Sequence, residues 1–235
     1  MVIDTSFDVY SDTPPGKDPD SHSPTLREFH RQLWSKPLPN GTKFDLVTDR
    51  AGAYLYHHSA AGEFHLSSDS LGHTYSRWDS MKPITTLVPD NEMGEFFRLC
   101  STIGAFTLFP SKKIDRRPTI NGHRGMSHKI KDRFDLTLEC IRRHYAGEES
   151  PLSATLGRYS PFFDLFENFH GYVEFFLFQD LLADNDGGIT FWLPCENFGR
   201  NPVPENVEEY RIYMGKVSEF IHGRNRRMQQ AARDA

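Results

Sequence analysis

The stretch Asn121–Tyr145, NGHRGMSHKIKDRFDLTLECIRRHY, constrains the fold more than any other part of the chain. Ile130, Phe134, Leu138, Ile141 and Tyr145 recur at helical spacing and predict one amphipathic helix with a continuous apolar face. The same region is the most basic in the sequence. Between Lys112 and Arg133 stand eight Lys/Arg residues against two acids, Asp115 and Asp132. A helix entered through a basic, glycine-containing loop offers free backbone N–H groups and positive charge to an anion such as a phosphate. A core helix with a solvated, charged outer face fits the same residues.

Around this stretch the chain divides unevenly. Strand-like runs fall in the first half, at Phe7–Tyr10, Lys43–Val47, Ala53–His57, Glu63–Ser67, Ile84–Val88 and Gly104–Phe109. Of these, Ala53–His57 and Glu63–Ser67 predict a hairpin around Ser59–Gly62. Helical patterns cover Thr25–Ser35, Glu92–Ser101, one or two segments between Leu152 and Phe169 interrupted near Ser160-Pro161, Tyr172–Leu182 and Glu205–Ala231. Asp184–Gly188 reads as a turn before a last strand, Ile189–Leu193. This order predicts an α+β fold, a mixed sheet with helices packed on it, in a single domain over 1–235; a three-layer α/β arrangement is the alternative.

Composition narrows the setting. The 235 residues carry a net charge of −5, which disfavours a general nucleic-acid coat but leaves room for a local basic patch. A mean hydropathy of −0.58, with no apolar run near the ~20 residues of a membrane span, predicts no membrane segment. The N-terminus lacks a basic n-region, so no secretory signal is expected. Cys100, Cys140 and Cys195 are widely spaced and flanked by apolar residues, as expected of reduced, buried thiols in a cytoplasmic protein.

Two segments are candidates for chemistry. In the loop Ser11–Ser23, stiffened by Pro14, Pro15 and Pro19, lie Asp12, Asp18, Asp20 and His22. A carboxylate there could activate water as a general base, with His22 or a second acid moving the proton; acids capping the next helix are the competing reading. Asn121, His123, Arg124, His128, Lys129 and Arg133 form the second set, suited to phosphate or a polar ligand. His123 and His128 lack the i, i+4 spacing of a zinc helix, and no metal site is expected. Ser67, Ser68 and Asp69 read either as substrate ligands at a hairpin end or as a turn. The Tyr172–Phe178 aromatics read as core.

The segments Phe7–Gly41 and Ile120–Tyr145 resemble an uncharacterised bacterial family of unknown function, with similarity through most of the chain. Strand, Gly16-Lys17-Asp18-Pro19, helix is in addition similar to the first motif of uracil-DNA-glycosylase-like enzymes, Gly-Gln-Asp-Pro-Tyr. Here Lys17 stands for Gln, Asp20 for the aromatic, and no His-Pro-Ser motif follows. The resemblance implies that Asp18 handles the water that attacks the sugar carbon. It implies a metal-free enzyme excising a base, modified bases included, from DNA, with phage defence as its setting by association. Arg124 and Lys129 would hold phosphates beside a flipped nucleotide. Two alternatives remain: a nuclease using Asp12, Asp18 and Asp20 with Mg²⁺, and a non-catalytic, antitoxin-like regulator with a protein partner.

Overall fold

The computed structural model describes residues 3–183 and 188–234. Among the described residues it is an α+β fold in which ten α-helices surround a three-stranded antiparallel sheet. The chain opens with turns and enters two short helices, α1 (Pro19–His22) and α2 (Pro24–Trp34), each with a proline in its first turn. Pro suits that position because the N–H it lacks would be unpaired there. Leu26, Phe29, Leu33 and Trp34 form the buried face of α2, as their spacing predicts.

Strand β1 (Leu55–Ser59) turns at Ser59 and Gly62 into β2 (Gly62–Ser70), the expected hairpin. Gly62 has φ 135°, outside the reach of most side chains. Beyond α3 (Lys82–Thr85) and α4 (Asp90–Cys100), strand β3 (Phe106–Pro110) pairs antiparallel with β2, placing Ser70 opposite Phe106 and Leu66 opposite Pro110. The three-layer α/β alternative is thereby overturned: the sheet is a small meander with no parallel pair among the described strands.

The central segment is two helices, α5 (Ile120–Met126) and α6 (Phe134–Ala146), where the apolar spacing predicts one. Lys131 and Asp132 adopt left-handed φ values of 48° and 61° between them. The cause is a buried cation: Arg124 donates from Nη2 to the Asp132 carbonyl at 2.7 Å and folds the chain back. Ile130, Phe134, Leu138 and Ile141 are nevertheless all buried, so the pattern finds the core residues while missing the break.

Four expected strands are absent for local reasons. Phe7–Tyr10 lies in turns, with Val9 N–H bonded to the Ser101 carbonyl at 3.0 Å. Lys43–Val47 makes only single bridges, at Lys43 and Val47. Ile84–Val88 begins inside α3 and continues as turn, and Ile189 contributes one bridge, to Leu182. Of the turn expected over Asp184–Gly188, positions 184–187 lie outside the described residues.

Helices α7 (Ser153–Arg158), α8 (Ser160–Asp164) and α9 (Phe169–Phe176) carry an aromatic cluster in which Phe162, Phe166, Tyr172 and Phe176 meet at centroid distances of 5.1–5.4 Å. The closing helix α10 (Val207–Asp234), about 42 Å long at 1.5 Å per residue, packs on α4, α3 and the turn before β3. No helix among the described residues is long and apolar enough to cross a membrane. The three cysteines are free and buried.

Candidate active site

Asp18 is the N-cap of α1: its Oδ1 accepts the Asp20 N–H at 3.1 Å. With only four residues, α1 is held by its seat on β2 more than by its own hydrogen bonds. That seat carries Asp20 toward the C-terminal end of β2, where Asp69 lies buried. Burial is the main force on the Asp20 carboxyl, and the nearby charges of Asp69 and Asp18 add to it. Together they hold it well above the usual carboxylate range, against the attraction of Arg124. Asp20 therefore keeps its proton to a higher pH than an exposed carboxyl.

Beneath Asp20 sits a fully buried ion pair. Arg124 reaches Asp69 at 2.6 Å and is saturated by Ser70, Asp132 and Thr137 at 2.7–3.2 Å. Burial pushes Asp69 up to about 6, with Arg124 opposing. The Arg124 charge survives its burial because Asp69 and Asp132 outweigh the loss of solvent.

Asp18, Asp20, Ser70 and the loop after β2 enclose a cavity of about 270 Å³. Its walls are aromatic: Tyr10 and Phe97 pack at 5.3 Å, and Tyr75 meets Trp78 edge-on at 5.0 Å. Arg77 lines the cavity, and Lys131 Nζ stands 5.2 Å from the Trp78 ring. Gly72 lets the loop pass close to α4 and α10, since a Cβ there would lie 2.9 Å from both Cys100 Sγ and Val217. His73 is pushed down to about 4 by burial and by Arg124, so it lines the cavity as a neutral imidazole.

The expected site residues separate on this geometry. Asp18 and Asp20 line the cavity. Asp12 instead caps α2, accepting from Ser23 Oγ at 2.6 Å and Thr25 N–H at 2.9 Å, which is the competing reading of that loop. His22 is exposed, its Nδ1 3.0 Å from the Asp18 carbonyl. The three acids of the Mg²⁺ alternative thus do not converge.

In the second set, Arg133 is fully buried against Asp135 and the Pro202 and Leu193 carbonyls, and Arg124 is buried as described. Neither guanidinium is open to a phosphate. Lys129 donates to the Phe198 carbonyl at 2.9 Å, and His123 Nδ1 meets Thr155 Oγ1 at 2.5 Å. Asn121 is half-buried and His128 exposed.

Sequence reasoning missed Asp69 as a structural acid, along with His73, Tyr75, Arg77 and Trp78. Ser67–Ser70 is the end of β2, and no turn. A signal existed: His73-Thr74-Tyr75-Ser76-Arg77-Trp78, four ring or cation side chains in six positions after a glycine.

A small antiparallel sheet, a long closing helix and an acidic, aromatic-walled cavity at the strand ends define an α+β protein with a candidate site at the end of its sheet. A family model described as a family of unknown function (DUF6994) matches residues 3–228, and the chain belongs to that family. No curated protein and no solved structure matches the chain.

Proposed function

We propose that the protein hydrolyses N-glycosidic bonds, excising a base from DNA, modified bases included. The observation that supports this most is the pairing of Asp20, whose carboxyl burial holds well above the usual range, with Asp18 on one small aromatic cavity. Two carboxyl groups in unlike environments are the means by which glycosidic bonds are commonly cut. At about 270 Å³ the cavity lies just under the usual range for small-molecule pockets, ~300–1,000 Å³, and suits one base.

The extruded base enters between Tyr10, Phe97 and Trp78. Asp20 donates its proton to the base nitrogen as the C1′–N bond breaks, and the bonding electrons leave with the base. Water adds to C1′ and gives its proton to Asp18, and a sugar with a free anomeric hydroxyl remains. Arg77 and Lys131 would meet the flanking phosphates, the task first expected of Arg124 and Lys129. No metal enters this scheme. We assign a cytoplasmic setting, which the free thiols support.

The test uses end-labelled DNA with and without modified bases, in EDTA, with half of each product treated with hot alkali. Breaks appearing only after alkali are expected. Asp18→Ala and Asp20→Asn should each lower the rate ~10²–10⁴-fold while leaving binding intact. Full activity in both variants would sink the assignment.

A further inference from the structure

At the far end of β3 the chain leaves the sheet as Lys112, Lys113, Asp115, Arg116 and Arg117, all exposed. None of the four cations makes an ion pair among the described residues. Elsewhere Arg124, Arg133, Arg142, Arg143, Arg200 and Arg227 are each matched to an acid. The strip's backbone is nonetheless fixed. Tyr159 Oη donates to the Lys112 carbonyl at 3.0 Å, and Arg158 Nη2 to the Pro118 carbonyl at 2.9 Å. Side chains stay free on a backbone tied at both ends, which lowers the cost of ordering them around a ligand.

Beside the strip lies a second cavity of about 250 Å³, separate from the first. Phe64, Ile114, Tyr159 and Phe162 wall it, with Lys112 and Arg158 at its edge and Glu63 as its one acid. An aromatic recess rimmed by unpaired cations is the arrangement that holds a base by its face and its phosphates by charge. An anionic lipid surface is a poorer fit: Tyr10, Val47, Leu87, Phe97, Met126 and Ile212 are the exposed large apolar side chains, and none lies in the strip.

We propose that this end of the sheet is a docking site for single-stranded nucleic acid, with phosphates on Lys112, Lys113, Arg116 and Arg117 and one base in the adjoining cavity. It takes its choice of a polynucleotide from the excision reading above. The two cavities flank β3, Phe106 lining the first and Pro110 the second, roughly 14 Å apart by the rise of an antiparallel strand. A polymer is therefore gripped away from the base being cut.

The experiment is fluorescence anisotropy with a short labelled oligo-dT across a salt series. Wild type is compared with the variant Lys112→Gln, Lys113→Gln, Arg116→Gln, Arg117→Gln and with Asp18→Ala. The quadruple variant should bind more weakly, and its slope of log Kd against log salt should fall by about 0.7 per lost contact, about 3 in all. Asp18→Ala should bind as wild type does. All four positions are exposed, so a circular dichroism melt should be unchanged.

Equal slopes for wild type and the quadruple variant would overturn the strip. Competition by an abasic oligomer as strong as that by oligo-dT would overturn the base cavity. Displacement by phosphatidylserine vesicles at matched charge would reassign the face to lipid. Strip-dependent binding with no excision would remove the proposed activity and leave the docking site; excision with an unaltered salt slope would do the reverse.

Discussion

Asp20 shows how a single side chain is tuned by its neighbours. Its proton is held by burial and by Asp69 and Asp18, and Asp69 is in turn fixed by Arg124. A carboxyl raised in the folded state binds its proton more tightly there than in the unfolded chain. Its contribution is fully present below the unfolded value, near 4, and stability falls as pH rises from there through the folded value. Asp20→Asn cannot lose that proton. Urea denaturation should therefore find the variant increasingly more stable than wild type as pH rises above 4, by about 1.4 kcal/mol for each unit of pKa difference. A gap that stays constant across that range would mean that Asp20 ionises like any surface acid. The same proton is the one proposed for the leaving base, so activity should decline over the alkaline part of the same window.

At the scale of elements, the segment Asp12–Trp34 combines a cap and a catalytic candidate in one run. Asp12 and Ser23 fix the start of α2, the helix that follows directly on α1. Asp12→Ala should cost ~1 kcal/mol in a thermal or urea melt, as other lost caps do, and should lower base excision only a few-fold. A loss as large as that of Asp18→Ala would return Asp12 to the reacting groups. The amphipathic face of α2, the span of α10 and the β1–β2 hairpin were legible because each is written in the period of its own backbone. The break between α5 and α6 was not legible. Ile130 keeps the helical count while lying in a turn, and the turn is imposed by Arg124 bonding a carbonyl eight residues ahead. Asp18 and Asp20 stood out as loop acids. Their partnership with Asp69 and His73 depends on α1 meeting β2 some fifty residues later in the chain, a contact that no local spacing encodes.

Over the whole molecule, α10 ties the layers together. Arg224 donates to the Phe176, Gly104 and Phe106 carbonyls and lies 4.6 Å from the Phe178 ring centroid, so one cation joins α9, the entry to β3 and the aromatic cluster. The approach is close enough to demand glycine at 104, where a Cβ would fall 2.3 Å from Asn225 Oδ1 and 3.0 Å from the Ile221 carbonyl. Gly104→Ala should therefore destabilise by ~1–3 kcal/mol. In a calorimetric scan the melting temperature should drop about 2–4 °C for each of these. An unchanged melt would show that α10 can shift outward without loss.

The crowding of Asp18 and Asp20 at the first cavity, with Asp69 buried behind them, has a consequence for calorimetry of whatever binds there. A neutral guest that covers Asp20 removes more of its water and raises its proton affinity further. Where the solution is alkaline enough to ionise Asp20 in the free protein, occupancy then draws protons from the medium, so the heat of binding will vary with the ionisation enthalpy of the buffer, and affinity will strengthen as the solution is made more acid. An empty-looking reaction, with no bond cut, would still announce itself as proton uptake.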